Sequence, residues 1–361
     1  KRQLNDFYFT QRRSNTKSLH PHGIPPEAYE HWPAYHKIRH QPRQLEVQSK
    51  AMDRCVDFPS PALLVPPGVW PDFGEEGLEQ GAHFPHGRRQ WSRSTHGVGF
   101  GKMGAKLSLS DINLQGVEET KQICIKLGIP AANIHVMHVD VSKRASITES
   151  AASAKATFGT VTMLINNAGI VSGKPTLELT DAMIERTMHV NTISHLHTIR
   201  EFLPDMITAK KGHIVSIASM AGLAGIPGLP DYCASKWGAV AIDESLRLEL
   251  KKAGHYSYIK TTCICPYYIN TGMFDGAKNA FPMYILSPEE VVTRIINAIR
   301  QEEAQVTIPW RGNVIFFVKL LPISLVDKIG SVLGLSSQMD DFKGRGAMEN
   351  RIPGIQAHVV K

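Results

Sequence analysis

From residue 105 onward, short apolar runs alternate with longer amphipathic stretches, and that alternation restricts the chain more than any other feature. Runs at 105–109, 134–139, 163–166, 213–217, 261–265 and 306–308 have the length and flanking turn residues of buried strands. Between the first two, Leu114, Val117, Cys124 and Leu127 recur at helical spacing and stop at Gly128 and Pro130, which end a helix. Longer helices are predicted around 180–209, 230–252 and 288–301. Strands and helices in such alternation build parallel βα units, so the predicted fold class is α/β, a Rossmann-like doubly wound parallel sheet.

Residues 1–100 break the pattern, holding 11 of the 22 prolines and 8 of the 16 histidines. Proline removes a donor and fixes φ, so this stretch cannot sustain helices or central strands. It is expected to be a disordered arm whose one strand-like run is 62–65. No ligand spacing recurs among its histidines, and no metal site is expected. The chain is therefore divided into the arm (1–100), an α/β domain (101–310) and a C-terminal apolar segment and tail (311–361).

Composition excludes several classes. The net charge is +7, but basic and acidic residues are interleaved, with no basic stripe or binding module, so no nucleic-acid partner is expected. Weak attraction to anionic lipid stays open. Five scattered cysteines without a Cys-x-x-Cys pair argue against a disulfide framework and for a reducing compartment. No signal peptide opens the chain, and no run of 18 apolar residues is present to span a bilayer.

The chemistry-bearing motifs sit at strand ends. Asp231-Tyr232-Cys233-Ala234-Ser235-Lys236 opens the helix predicted at 230–252. Tyr232 and Lys236, four apart, project from one helical face, which lets an ammonium lower the pKa of a phenol. A phenol tuned in this way exchanges protons near neutral pH. The bare spacing equally fits a solvated helix pair. Ser219 follows the strand 213–217, on the sheet edge where open α/β folds bind ligands, although a loop-capping serine would look the same. Asn166-Asn167-Ala168-Gly169 closes another strand in a small turn that allows close approach, or is an ordinary turn. Asn191 falls inside the helix beginning near Thr180, where it fits a surface position as well.

In this order, at the ends of successive strands, these four signals closely resemble the short-chain dehydrogenase/reductase family over residues 101–310. The resemblance implies an oxidoreductase with Asn191, Ser219, Tyr232 and Lys236 as its catalytic tetrad. Tyr232 would exchange a proton with the substrate oxygen while hydride moves to or from nicotinamide, and Ser219 would hold that oxygen. Lys236 would depress the Tyr232 pKa and hold the ribose, and Asn191 would bind a water linking Lys236 to solvent. Tyr232 and Lys236 thus count as cofactor contacts too, with Asp140 and Val141 at the adenine edge. Asn167, Ala168 and Gly169 would lie beneath the cofactor, and Ile269 and Thr271 would meet the nicotinamide amide. Asp111 ends the first run, where a carboxylate accepts from ribose hydroxyls and repels a 2′-phosphate, favouring NAD over NADP. An N-cap role for Asp111 is equally compatible.

Two departures stand out. The family's first strand, glycine-rich turn and helix should precede residue 105, yet Gly97, Gly99 and Gly101 lie too close to Asp111 for a dinucleotide fingerprint. The stretch 100–104 resembles only the last turn of that first helix, which would leave neighbouring strand edges unpaired and the pyrophosphate without a helix N-terminus. Tyr267 stands where many members have glycine.

The segments 261–266, 271–274 and 339–345 are similar to the retinol dehydrogenase and 17β-hydroxysteroid dehydrogenase branch. That implies an apolar alcohol, ketone or aldehyde such as a retinoid or steroid, a homodimer, and a place on the endoplasmic reticulum or lipid droplet, otherwise the cytoplasm. The stretch between Thr271 and Pro288, with Phe274, Phe281, Met283, Tyr284, Ile285 and Leu286, has the apolar character of a substrate lid, or of a packed loop. Apolar runs at 314–318 and 320–326 are too short to span a bilayer but fit its interface, or the core. The competing reading is a catalytically silent relative that binds lipid or a protein partner.

Overall fold

The computed structural model describes residues 91–280 and 283–343. The arm up to residue 90, its run at 62–65, Phe281, Gly344 and Arg345 lie outside the described residues.

Among the described residues six parallel strands are present: β1 (Leu107–Asp111), β2 (Ile134–His138), β3 (Met163–Asn166), β4 (Gly212–Ile217), β5 (Ile259–Pro266) and β6 (Gln305–Ile308). The flanking helices are α1 (Trp91–Lys102), α2 (Leu114–Lys126), α3 (Arg144–Phe158), α4 (Asp181–Met188), α5 (Ser194–Thr208), α6 (Pro230–Lys252), α7 (Pro288–Arg300), α8 (Val314–Val318) and α9 (Ile323–Val332). β1 begins two residues later than the sequence suggests, which makes Asp111 its last residue. Asp111 is not the N-cap of α2. That place belongs to Asn113, whose side chain accepts from Gly116 N, while Asp111 Oδ1 accepts from Asn113 N at 2.8 Å.

Among the described residues the strands fall into two ladders, β1 with β2, and β3-β4-β5-β6 in that order. One apolar core serves both: Phe100, Leu107, Cys124 and Ile134 pack in the same cluster as Val215, Ile264, Val292 and Ile296. Gly97, Gly99 and Gly101 lie inside α1, not in a turn. Their missing side chains let α1 approach its neighbours closely. A Cβ on Gly99 would come within 2.6 Å of Ile296 Cδ1 on α7.

α3 was not among the predicted helices. Its buried face is Ile147, Ala151 and Ala154, helical in spacing but nearly all alanine, so the apolar periodicity is faint. The two apolar runs after β6 form α8 and α9, which contain no buried residue.

Candidate active site

The site is assembled on α6, whose start is specified by Pro230 at the first helical position and Asp231 in the first turn. Tyr232, Ser235, Lys236, Ala239 and Asp243 recur at three- and four-residue intervals and form its buried face. Tyr232 and Lys236 therefore both point at the carboxyl ends of β4 and β5. Lys236 Nζ donates to Ile217 O, the last residue of β4, at 2.8 Å and lies 5.8 Å from the Tyr232 ring centre.

Ser219 leaves β4 by two residues and caps a 3₁₀ turn at Met220–Gly222, its Oγ accepting from Ala221 N at 3.1 Å. The same hydroxyl donates to Pro266 O at 3.4 Å. Asn191 lies in a π turn, His189–Ile193, that interrupts the helical course from α4 to α5. Such one-residue insertions concentrate at functional sites because they rotate a side chain out of helical register. Here the fully buried Asn191 turns inward. Its Oδ1 accepts from Ile170 N, and Nδ2 donates to Ile170 O and to Ser235 Oγ, each at 2.9 Å. Both amide hydrogens are thus committed to protein, so the side chain fastens the turn after β3 to α6.

Electrostatics follow from burial. The Tyr232 phenol is pushed above its ordinary value, and a hydrogen bond with Ser219 works the other way. The Lys236 ammonium is aimed at Ile217 O, beside the Tyr232 ring. Burial brings Lys236 itself down to about 8, against a smaller upward pull from Cys263 and Cys265.

The remaining sequence-predicted positions divide between the two ladders. Asn167, Ala168 and Gly169 follow β3 directly. A Cβ on Gly169 would stand 3.6 Å from both Asn191 Oδ1 and Lys236 Nζ, so its absence leaves a cradle facing the two groups. Ile269 and Thr271 follow β5, and Ile269 forms a single parallel bridge with Leu286. These residues fit the nicotinamide end of a dinucleotide. On the other ladder, Asp140 accepts from Ser142 Oγ at 2.6 Å and its pKa is lowered, first by that bond. Val141 lies beside it and Asp111 ends β1, which fits the adenosine end. No described residue supplies a glycine-rich turn for the pyrophosphate.

Tyr267 causes no local distortion: its amide donates to Ile308 O at 2.7 Å, and its hydroxyl accepts from Ala280 N at 3.1 Å. Sequence reasoning missed several supports. Ser235 bridges Asn191 to the carbonyl of Tyr232. Thr187 donates to Asp231 at 2.9 Å, and Thr192 to Ser235 O at 2.7 Å. His195, one turn past Asn191, is buried with neither ring nitrogen partnered among the described residues, and burial first, then the Lys236 charge, holds it down to about 3.

The model of the short chain dehydrogenase family matches residues 97–280. The chain belongs to the short chain dehydrogenase family. This short chain dehydrogenase is 39% identical over 249 residues to epidermal retinol dehydrogenase 2 of Mus musculus, covering 68% of this chain and 80% of that one. It is 39% identical over 244 residues to estradiol 17-beta-dehydrogenase 11 of Homo sapiens, covering 66% and 79%. Among solved structures it is similar to a short chain dehydrogenase/reductase from Burkholderia phymatum in complex with NAD, with a TM-score of 0.56, 23% identity, and coverage of 64% and 89%, a likeness of fold. The chain is an oxidoreductase of CH–OH groups that works with a nicotinamide cofactor.

Proposed function

We propose that the chain interconverts an apolar alcohol and its aldehyde or ketone, of retinoid or steroid type, with NAD as the preferred cofactor. The observation that carries this is the setting of Tyr232. It belongs to an apolar cluster against which Val171, Ile226, Phe274 and Met339 pack, with Phe274 edge-on to the ring at 5.6 Å, while Ser219 and Lys236 supply polar groups beside it. A hydroxyl-bearing carbon placed there meets hydrocarbon on one flank and proton-transfer groups on the other. The names of the relatives support the retinoid and steroid classes.

The nicotinamide, when bound, supplies or accepts the hydride. Ser219 Oγ would hold the substrate oxygen and Tyr232 Oη exchange its proton. General acid–base catalysis of this kind is worth about 10² to 10⁴ in rate. Lys236, mostly cationic at neutral pH, would add positive charge beside the phenol and hold the ribose. Asn191 would keep the Gly169 turn in register with α6. Asp111, at the end of β1, supports NAD over NADP.

The exposed apolar residues after β6 support contact with an endoplasmic reticulum or lipid-droplet surface. Trp310, Phe317, Leu320, Ile323 and Val332 are 71% to 86% exposed, and Arg311, Lys319 and Lys328 lie among them. No helix among the described residues is long and apolar enough to cross a membrane. The domain division at residues 100 and 310 and a homodimeric state belong to the same reading.

Tyr232→Phe should abolish turnover of retinol and estradiol while leaving the melting temperature within a degree or two. Retained turnover removes the assignment. Calorimetric titration with NADH separates the enzyme from the silent relative: micromolar binding is expected, and no binding favours the latter.

A further inference from the structure

The last described residues return to the segment after β5. Gln338 is buried, and its amide bridges two aromatic hydroxyls: Nε2 donates to Tyr267 Oη at 2.9 Å, and Oε1 accepts from Tyr268 Oη at 3.1 Å. Main-chain bonds of 2.9 Å, Lys278 N to Gln338 O and Lys343 N to Asp275 O, tie this strap to the segment after β5. A Lys278–Asp341 ion pair of 2.8 Å spans the same gap.

Between these ties stand two apolar side chains, Met339 and Phe342. Met339 packs in the cluster around Tyr232 and against the backbone of Gly228. Phe342 lies directly over Gly173, in the turn after β3. Gly173 has φ of +66°, and a side chain there would collide with the Phe342 ring. Phe342 also faces Phe274, at 6.4 Å between ring centres, and Phe274 in turn touches Tyr232 and Tyr268. The strap thus adds Met339 to the apolar cluster that holds Tyr232 and sets Phe342 beside Phe274, which touches the Tyr232 ring.

We infer that Met339 and Phe342 are specificity-determining residues, forming the substrate-facing wall of the site, and that the Phe342 ring sets how large an apolar alcohol the site admits. This rests on the oxidoreductase reading for the chemistry at Tyr232, but the wall itself is a binding feature. Because Phe342 is held on a glycine and only partly buried, shortening it opens space without removing a core residue. Enlarging it closes the same space.

The experiment uses the full chain and a graded set of alcohols: octanol, dodecanol and all-trans-retinol. Affinity is measured by calorimetry with and without NADH, turnover by nicotinamide absorbance, and folding by thermal melts. Phe342→Ala should raise the preference for retinol over octanol about tenfold, the scale at which a hydrophobic pocket discriminates by size. The change should fall in affinity and KM, with kcat and melting temperature nearly constant. Phe342→Trp should move the preference the opposite way. Unchanged preference in both variants overturns the wall, as does a chain that binds none of the three alcohols. Binding that shifts as expected without turnover leaves the wall standing and overturns the oxidoreductase reading.

Discussion

Gly222→Ala tests whether the site depends on one close approach of backbone to backbone. Gly222 ends the turn that Ser219 caps, and it lies against α6. A Cβ at Gly222 would sit 2.6 Å from the carbonyl oxygen of Lys236, 2.9 Å from its carbonyl carbon and 3.0 Å from Val240 Cγ2. Ordinary contact begins near 3.4 Å, so the gap must open by about 0.8 Å. α6 is poorly placed to yield. It is held by Asn191 to Ser235, Thr192 to Ser235 O, Thr187 to Asp231 and Lys236 to Ile217 O. The displacement therefore falls on the turn, and Ser219 moves away from Tyr232.

Overpacking of this kind costs about 1–3 kcal/mol. A shift approaching 1 Å at a reacting group costs about 10²-fold in rate. The expected outcome is a loss of about 10² in kcat/KM for retinol oxidation, followed through nicotinamide absorbance, with a lowered melting temperature. Gly225→Ala is the control, because a Cβ there meets nothing within 4 Å and its φ lies outside the left-handed region. It should keep kcat/KM within about twofold and gain a few tenths of a kcal/mol in stability. If Gly222→Ala matches Gly225→Ala in rate, the close approach does not position Ser219 and the reasoning fails.

Two further outcomes follow from the charges. Burial holds His195 at about 3 and His213 at about 4, against 6.5 ordinarily, and raises Asp243 to about 7 from 3.8. Between about pH 4 and 6.5, unfolding lets both imidazoles take up a proton while Asp243 releases one. The net uptake of one proton means stability falls as pH falls, by about 1.4 kcal/mol per pH unit. Urea melts across that window check the sign, and a flat or rising stability toward pH 4.5 contradicts it. Asp111→Asn keeps an acceptor for Asn113 N but removes the charge that repels a 2′-phosphate. The affinity ratio of NADPH to NADH, read by fluorescence titration, should rise at least about tenfold, the equivalent of about 1.4 kcal/mol. An unchanged ratio would show that Asp111 does not face the ribose.

What could be read from sequence was what depends on apolar spacing or on a fixed residue interval. Six strands lie within two residues of their predicted bounds, because each is a short apolar run between turn residues. The Tyr232–Lys236 pair was legible because four residues define one helical face. The π turn was not, since a single inserted residue leaves the apolar spacing on either side intact. α3 escaped because alanine gives its buried face little contrast. Gln338 escaped for the opposite reason, as a polar residue whose burial is made possible by the Tyr267 and Tyr268 hydroxyls 70 positions away in sequence. The spacing of Gly97, Gly99 and Gly101 already argues against a phosphate turn, but their use, Gly99 against α7 and Gly101 against Ile129, needed the tertiary structure.

The two ladders give the site its remaining logic. Groups suited to the nicotinamide end follow β3, β4 and β5 or stand on α6, whereas Asp111 ends β1 and Asp140 follows β2. Among the described residues these ladders are joined by side-chain packing through α1 and α7, without a shared strand. Packing fixes distance less rigidly than hydrogen-bonded register, since side chains can re-seat where a ladder cannot slip without breaking every bond. A dinucleotide reaching from Asp111 to Lys236 would span both ladders. The room that Gly99 leaves for Ile296 Cδ1 is one place where that packing sets the spacing of the two ladders.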